Sequence, residues 1–369
     1  MFRPGCGAGT YDARVPRPAT GLTSTCASRF LWAMVNRMHR EVRLAARPKG
    51  PVADELFEIV EVPVPEPGPG QVLVRNTHMA VAAVMRTLMD EITDVPMPPF
   101  EIGAPLNGPA VGEVVAAPGT DLAPGDLVEH RLGWREYALL DADAAHRVEP
   151  GLRSDPAACL SQGPTALMGI ERGAEVRPGD TVFVTGAAGG VGSLAGQIAR
   201  QFGATRVIGS TGSRQKADRL MGELGYDAVV IRGAGPIEEQ LRRAAPEGID
   251  AVFDNVGGEQ LAAALAVANR GARVAIVGAL AGQLSVNGTS TSRIELDTLS
   301  LLSRSITLRG IALYDHLDLV PQWNRRFAEG LRTGTLTFPH SRLRGIGQAP
   351  RALRELTEGR HLGAVIVEL

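Results

Sequence analysis

The sequence is poor in cysteine: its 369 residues include only three, at Cys6, Cys26 and Cys159. Three is an odd number and the positions are widely separated, so these residues cannot form the disulfide framework of a small secreted protein. They also make no Cys-x-x-Cys pair, which excludes the common cysteine-based metal motifs. The pattern fits a reducing compartment, and we predict a cytoplasmic protein.

A strong net charge and a long apolar run are also missing. The formal net charge is −2, so no overall electrostatic field draws the chain to nucleic acid or to an anionic membrane. The most apolar long stretch, residues 261–286, contains Arg270 and Arg273. It is therefore typical of a helix, a turn and a strand rather than of a membrane span. We predict a small-molecule substrate, with neither nucleic acid nor a membrane as a partner.

The first 35 residues lack acidic side chains apart from Asp12, and they show no hydrophobic periodicity. An acid-poor start that carries arginine and serine is typical of an organelle transit peptide. A start codon placed too early, with Met34 or Met38 as the real start, would give the same pattern. We interpret residues 1–35 as a disordered extension and exclude them from the fold.

The sequence does contain a strand, a glycine-rich turn and a helix in direct succession, over residues 181–202. Residues 181–185 form a β-branched apolar run that is typical of a buried parallel strand. Ala187, Gly189 and Gly192 then fall at the three positions of the dinucleotide fingerprint, with alanine at the first. There, small residues allow a tight turn and close approach of a pyrophosphate, and the helix N-terminus faces the phosphates. The residues predicted to bind the dinucleotide are Ala188, Gly189, Gly190, Val191 and Gly192.

The end of the second strand indicates which dinucleotide is bound. An NAD-type site keeps an acid there, about 20 residues after the glycines, to hold the ribose hydroxyls. Here the strand at 205–209 leads into Gly212, Ser213, Arg214 and Lys216, with no acid among them. Lys216 is one of only two lysines in the chain, the other being Lys49. Because these cations attract a 2′-phosphate, we predict NADP; the alternative is that Arg214 and Lys216 are solvated residues that open a helix.

Two patterns divide the rest of the chain. Residues 36–156 contain short strands separated by Gly/Pro turns, which indicates an all-β module. From residue 157 onward strands and helices alternate, which indicates a doubly wound parallel sheet and an α/β fold class. The predicted strands are 181–185, 205–209, 228–231, 250–253, 272–277 and 306–311, and the predicted helices are 157–172, 191–202, 213–224, 236–245, 258–268 and 318–332.

The tail of the chain is expected to return to the β module. From residue 338 it contains a predicted helix over 349–358 and a predicted strand over 364–367. The domains are therefore predicted as 36–156 plus 338–369 for the β module and 157–337 for the nucleotide domain. Insertion of one domain within the other places the active site in the cleft between them.

Several motifs together carry a resemblance to a known family. They are Leu44 to Gly50, Glu61 to Pro65, Gly70 to Asn76, Met85-Arg86, Gly133 to Tyr137, the glycine turn, Gly212-Ser213 with Lys216, and Phe253 to Gly258. On these residues the chain from Asn36 to Leu369 resembles the zinc-independent medium-chain dehydrogenase/reductase superfamily. Within it, the chain looks most like the prostaglandin/leukotriene reductases and the alkenal double-bond reductases of plants and bacteria.

The resemblance implies an architecture, a reaction and an assembly. The architecture is a Rossmann NADP-binding domain inserted in a GroES-like β-barrel catalytic domain. The reaction is the NADPH-dependent reduction of the carbon–carbon double bond of α,β-unsaturated aldehydes and ketones. The assembly is a homodimer, for which the Arg273–Val277 strand near the end of the nucleotide sheet offers a physical motive, because an exposed edge strand is a liability unless it is paired.

The resemblance also implies roles for individual residues. Lys216 and Gly212 would bind the 2′-phosphate, and Asn255 would lie by the nicotinamide ribose. The remaining expectations are Val277, Gly278 and Ala279 beside the nicotinamide, Thr165 at its carboxamide, and Tyr314 as a hydrogen-bond donor to the substrate. For Tyr314, a tyrosine that caps a strand end with no catalytic part is an equal alternative.

The chain departs from the family pattern at several positions. The family's Asp-Pro-Tyr-Met-Arg is Ala82 to Arg86 here, so a pocket tyrosine is absent at Val84. The family tyrosine that helps to hold the 2′-phosphate aligns with Arg232, which we expect to replace it; a solvated loop arginine is the alternative. An Asn and a Lys near the C-terminus of the family align with His361 and Ala364.

No zinc site is predicted. Zinc-dependent relatives need a Gly-His-Glu motif and a four-cysteine lobe, but Leu106-Asn107-Gly108 stands where His-Glu would be. Alcohol oxidation would then lack its Lewis acid, whereas reduction of an activated double bond needs none, because the carbonyl accepts the charge as an enolate. We predict an enone or enal reductase; a quinone reductase and an NADPH-binding structural or regulatory protein are the alternatives.

Overall fold

Antiparallel strands build the first part of the described chain, over residues 38–147. This computed structural model describes residues 37–91, 96–284 and 291–369, so the predicted extension over 1–35 lies outside the described residues. The elements of this part are strands β1 (Met38–Leu44), β2 (Phe57–Pro63) and β3 (Gln71–Val81), helix α1 (Val84–Leu88), and strands β4 (Ala110–Ala116), β5 (Leu127–His130), β6 (Tyr137–Asp141) and β7 (His146–Arg147). Strands β1 and β2 form a ribbon, and β3 to β7 enter a larger sheet.

A parallel sheet of six strands follows. Its elements are α2 (Gly163–Met168), β8 (Thr181–Val184), α3 (Gly192–Gln201), β9 (Arg206–Thr211), α4 (Arg214–Leu224), β10 (Ala228–Ile231), α5 (Ile237–Ala244), β11 (Ile249–Asp254), α6 (Gly258–Val267), β12 (Ala268–Ile276), α7 (Leu280–Gln283), α8 (Thr298–Arg304), β13 (Thr307–Gly310) and α9 (Leu319–Thr333). The strand order is β10-β9-β8-β11-β12-β13 and all pairs are parallel. This is the doubly wound Rossmann arrangement. The predicted α/β class is confirmed.

The last segment returns to the first sheet. It contains β14 (His340–Arg344), α10 (Ala349–Thr357) and β15 (Ala364–Glu368). Strand β15 pairs antiparallel with β3, and β14 pairs parallel with β15, which completes the sheet order β14-β15-β3-β4-β5-β7 with β6 on β3. The described chain therefore crosses twice between its two large sheets.

The predicted helix over 157–172 is wrong in its extent. The structure has a 3-10 turn at Pro156–Leu160, an extended Ser161, and then α2, which continues as a π turn at Gly169–Gly173. Pro164 explains the break, because proline lacks an N–H and fits only the first turn of a helix, so that α2 begins at Gly163, directly before it.

The edge of the parallel sheet is one strand further along than expected. Strand β12, which contains Arg273, pairs with β11 on one side and with β13 on the other. The edge strand at this end of the sheet is β13, and its residues are mostly exposed; β10 is the edge strand at the other end. Among the described residues, no helix is both long enough and apolar enough to cross a membrane.

Candidate active site

The glycine turn after β8 is fixed by close packing. Tyr226 donates a hydrogen bond from its hydroxyl to the carbonyl of Gly192, at 2.7 Å. A Cβ added at Gly192 would lie 2.4 Å from the carbonyl oxygen of Gly186, so only glycine allows α3 to start this close to the strand. A Cβ at Gly190 would lie 2.0 Å from Oε1 of Gln162. Because no side chain covers the turn at these positions, its backbone can contact a molecule that binds above it.

A cavity of about 690 Å³ opens above this turn. It lies at the carboxyl ends of β8, β9 and β11, where ligands of open α/β sheets bind. Residues of the C-terminal segment, including His361 and Gly363, form part of its wall. The cavity therefore lies between the parallel sheet and the segment that returns to the other sheet.

The cavity brings together most of the residues predicted for the cofactor. Those that line it are Thr165, Ala188, Gly189, Gly190, Val191, Gly212, Ser213, Lys216, Arg232 and Asn255. Gly192 lies beneath the turn, and Val277, Gly278 and Ala279 lie outside the lining, although the next residue, Leu280, belongs to it. A Cβ on Gly278 would lie 2.4 Å from Oδ1 of Asn255, so a side chain at this position would collide with the asparagine.

Tyr314 does not join this group. It lies in a 3-10 turn at Leu313–Asp315, its exposed fraction is 57%, and it is not among the residues that line the cavity. Its assigned role as substrate donor therefore stays a prediction.

Two cations flank the end of β9. Ser213 caps α4 by accepting a hydrogen bond from the backbone N–H of Lys216, and Lys216 donates from Nζ to the carbonyl of Gly359. Burial lowers the pKa of Lys216. The Arg232 guanidinium lies over Gly212, with one nitrogen 3.1 Å from where a Cβ would stand. Within the described residues the Arg232 side chain makes no hydrogen bond or ion pair, so it is available to an anion.

A buried carboxylate orients the loop after β11. Asp254 is wholly buried and accepts hydrogen bonds from Oγ1 of Thr185, at 2.7 Å, and from the backbone N–H of Gly257, at 2.9 Å. Thr185 Oγ1 in turn accepts from the N–H of Asn255, at 2.8 Å. Burial raises the pKa of Asp254, and these hydrogen bonds oppose that shift. The network holds Asn255 at the cavity wall.

Sequence reasoning missed several polar residues of the wall. Ser210 accepts a hydrogen bond from the N–H of Gly186, at 3.0 Å, and donates to Oε1 of Gln260. Gln162 and Gln283 also line the cavity. No motif marks these residues, because isolated glutamines and serines occur throughout ordinary helices and strands.

The loop from Gly359 to Gly363 closes one side of the cavity. Its first residue accepts the hydrogen bond from Lys216, and the N–H of Gly363 donates to the carbonyl of Ala188, at 2.9 Å. The loop therefore connects the cationic end of the cavity to the glycine turn. Glu358, just before it, is an acid of the wall, and Arg360 binds that carboxylate at 2.6 Å.

The other end of the cavity is apolar. Its wall combines Ala82, Ala83 and Val84, at the start of α1, with Leu280, Ala281 and Leu284 around α7. Gln283 is a polar side chain of this part of the wall, and it makes no side-chain hydrogen bond within the described residues. Such an end suits an apolar molecule that carries a single hydrogen-bonding group.

A metal centre is not found in the described part of the chain, which contains no group of three or more His, Cys, Asp or Glu side chains that could hold an ion. His130 is instead hydrogen-bonded to Asn76, with 2.8 Å between Nε2 and Oδ1. Leu106, where a zinc site would need a ligand, is wholly buried.

The sheet order, the bare glycine turn and the two cations define a dinucleotide-binding protein of the Rossmann class. The site also fits the phosphates of such a ligand. Side chains at Gly190 or Gly192 would fill or distort the turn, and the free guanidinium of Arg232 lies at the same end of the cavity.

Comparison with known proteins identifies the family. Residues 40–148 match a model of the N-terminal domain of oxidoreductases, and residues 190–329 match a model described as zinc-binding dehydrogenase. The chain is 30% identical to an NADP⁺-dependent 2-alkenal reductase of Nicotiana tabacum, covering 84% of this chain and 90% of the relative. It is also 30% identical to an NADPH-dependent curcumin reductase of Escherichia coli, covering 88% and 95%.

A solved structure agrees with these relatives. CurA from Vibrio vulnificus in complex with NADPH superposes with a TM-score of 0.82 at 28% identity, covering 89% of this chain and 98% of that protein. The chain belongs to the zinc-independent medium-chain dehydrogenase/reductase superfamily. The resemblance inferred from the sequence motifs is confirmed.

Proposed function

We propose that this oxidoreductase uses NADPH to reduce the carbon–carbon double bond of α,β-unsaturated ketones or aldehydes. The observation that carries the proposal is one continuous cavity, which runs from two cations and a bare glycine turn to an apolar end. A dinucleotide with a 2′-phosphate fits the first part, and an apolar substrate fits the second. The alkenal and curcumin reductases among the relatives support the same class of reaction.

The cofactor is NADPH, and the turn residues Ala188 to Val191 would hold its pyrophosphate on backbone N–H groups. Gly212, Ser213, Lys216 and Arg232 would hold its 2′-phosphate. Thr165 and Asn255 would orient the nicotinamide end, together with Val277 to Ala279, which follow β12. When bound, NADPH supplies the hydride, and the substrate carbonyl takes up the resulting charge as an enolate.

The protein's task in such a reaction is to orient the enone and to donate a hydrogen bond to its carbonyl oxygen. We propose Gln283 as that donor, because it lines the cavity beside the apolar residues and its amide has no competing partner within the described residues. Tyr314 remains the alternative donor. Gln283→Leu should lower kcat on the order of a hundredfold while it leaves NADPH affinity unchanged, and Tyr314→Phe should not. A large loss in Tyr314→Phe alone would reverse the assignment.

We also propose a homodimer in which the edge strand β13 pairs across a two-fold axis. Leu299 and Leu302 of α8 support an interface at this end of the sheet, because their exposed fractions are 70% and 76%. Light scattering at micromolar concentration should give twice the chain mass. From the sequence patterns we also propose a cytoplasmic location. We propose two domains, one of residues 36–156 plus 338–369 and one of residues 157–337.

The deciding experiment is NADPH consumption with a panel of small enones, enals, saturated ketones and quinones. We expect turnover of the enones and enals, with the saturated product formed. Turnover of quinones alone would indicate a quinone reductase. Tight NADPH binding without turnover of any compound would leave a cofactor-binding protein with little catalysis.

A further inference from the structure

His361 is a half-buried histidine of the cavity wall, and its ring atom Nε2 is buried without a hydrogen-bond partner within the described residues. Its side chain is 15% exposed. The nearest carboxylate oxygen, Oε2 of Glu355, lies 3.2 Å from Nε2, which is ion-pair distance but not in line for a hydrogen bond. A buried polar atom left in this way costs free energy unless something else bonds to it.

The charges around His361 come from three elements. Helix α10 contributes Glu355, whose other oxygen binds Arg351 at 2.8 Å. The loop after α10 contributes Arg360, 3.9 Å from Oε1 of Glu355, and Glu358, which pairs with Arg360. Helix α4 contributes Lys216. Burial is the largest influence and lowers the pKa of His361, Glu355 raises it, and Lys216 and Arg351 lower it. The imidazole is therefore neutral at pH 7 in the free protein.

We propose that His361 is a proton-linked ligand of the cofactor's 2′-phosphate, which takes up one proton from solvent when NADPH binds. The proposal rests on NADPH as the cofactor. His361 stands two residues after Gly359, the residue that accepts the hydrogen bond from Lys216, and it lines the same cavity. Without the cofactor, the charge of Lys216 repels a protonated His361. A phosphate dianion bound to Lys216 would outweigh that repulsion and favour the imidazolium.

The test is calorimetric titration of the full-length protein with NADPH at pH 7, in buffers of low and high ionisation enthalpy. The difference in observed heat gives the number of protons taken up. The phosphate monoester itself titrates near pH 6, so the same titration of His361→Gln supplies the baseline. We expect the parent to take up more protons than the variant with NADPH, and the two to agree with NADH.

Affinity gives a second readout. At pH 6, His361→Gln should bind NADPH about tenfold more weakly than the parent, and at pH 8.5 within twofold, with NADH affinity unchanged at both. His361→Asn should behave in the same way, and His146→Gln, at an exposed histidine of β7, should behave as the parent. Far-UV circular dichroism and melting curves establish that each variant is folded.

Two results would overturn the proposal. One is equal proton uptake by parent and His361→Gln with NADPH. The other is an equal His361-dependent uptake with NADH, which would place the imidazole at the pyrophosphate instead. Absence of NADPH binding by the parent is a different result, because it would reject the proposed cofactor itself.

Discussion

The only lysine of the cavity wall, Lys216, donates a hydrogen bond from its ammonium to the backbone carbonyl of Gly359. The two residues are 143 positions apart in sequence and belong to the parts of the chain that form different sheets. An ammonium has three donors, so this contact leaves two for another partner. This hydrogen bond to the Gly359 carbonyl therefore holds the Lys216 side chain at the cavity wall.

Replacing Lys216 should change cofactor selection. We expect Lys216→Ala to weaken NADPH binding about tenfold to a hundredfold, because a charge-assisted contact to phosphate is worth about 1.5–3 kcal/mol. NADH, which lacks the 2′-phosphate, should bind as before. Fluorescence titration of both cofactors measures this.

The chain offers a matched control, since Lys49 is its only other lysine and is exposed outside the cavity. Lys49→Ala should leave both affinities unchanged. Equal weakening of NADPH and NADH by Lys216→Ala would mean that the lysine acts only by bracing the Gly359 loop.

Arg232 should bind the same phosphate. It follows β10 on the cofactor side of the sheet, and its guanidinium lies over Gly212 without a partner in the described chain. We expect Arg232→Ala to weaken NADPH about tenfold and to leave NADH unchanged. In the double variant with Lys216→Ala, the losses should differ from a simple sum, because both cations would contact one dianion.

Arg214 is the control for this cycle. It opens α4 within a few residues of Lys216 but does not line the cavity. Arg214→Ala should therefore change neither affinity beyond twofold. If Arg232→Ala behaves like Arg214→Ala, then Arg232 is only a surface residue.

The parallel sheet could be predicted well because its signals are local. Strands buried on both faces are continuous β-branched runs, such as residues 181–185, and each predicted strand of the nucleotide sheet overlaps an observed one. Strand β14, His-Ser-Arg-Leu-Arg, was missed because polar residues predominate in it. Helix α8 was missed too, since its exposed Leu299 and Leu302 mark no face toward the core of the chain.

The candidate site, too, could be predicted from the sequence only in part. The glycine turn and the absence of an acid after β9 are visible in a short window, so the cationic end was predictable. Gln260 and the Gly359–Gly363 loop could not be found, because each reaches the cavity only through a return of the chain from far along the sequence. The role of Tyr314 was implied by the family resemblance, and neither that resemblance nor the strand before Tyr314 fixes the direction in which its side chain faces.

Glu129 should make stability depend on pH in the neutral range. Its carboxyl is mostly buried beside the thiol of Cys159, and burial raises its pKa to about 7, from an ordinary value of 4.5. The folded state therefore holds this proton more tightly than the unfolded state does. The stabilisation is complete below pH 4.5 and is lost as the pH rises through 7, by up to about 3 kcal/mol.

Glu129→Gln should remove that dependence. At pH 8.5 the variant should be more stable than the parent by about 1–3 kcal/mol, whereas at pH 5 the gain should be small. Urea denaturation at the two pH values measures the difference. Glu58→Gln, at an exposed glutamate of β2, is the control and should follow the parent at both values. A parallel pH dependence in Glu129→Gln and the parent would contradict the assignment.

His130, the next residue of β5, should make the protein less stable as the pH falls into the acid range. Its Nδ1 accepts a hydrogen bond from the N–H of Leu132, at 3.0 Å, so the ring proton is on Nε2 and is donated to Oδ1 of Asn76. Asn76 donates its amide to the carbonyls of Leu132 and Arg135. A second proton on the ring would face the N–H of Leu132. Burial, with a smaller contribution from Arg135, lowers the pKa of His130 to about 4.

Because the folded-state pKa lies below the ordinary value of 6.5, the unfolded chain binds this proton first as the pH falls. The stabilisation is complete above pH 6.5 and is lost between 6.5 and about 4, by up to about 3 kcal/mol. His130→Gln should be less stable than the parent at pH 7.5, since it breaks the network with Asn76, but it should lose less stability between pH 7.5 and 4.5. Urea midpoints at these pH values measure both effects, and His146→Gln should retain the parent's acid dependence. If His130→Gln loses as much stability as the parent over this range, the acid sensitivity arises from other groups.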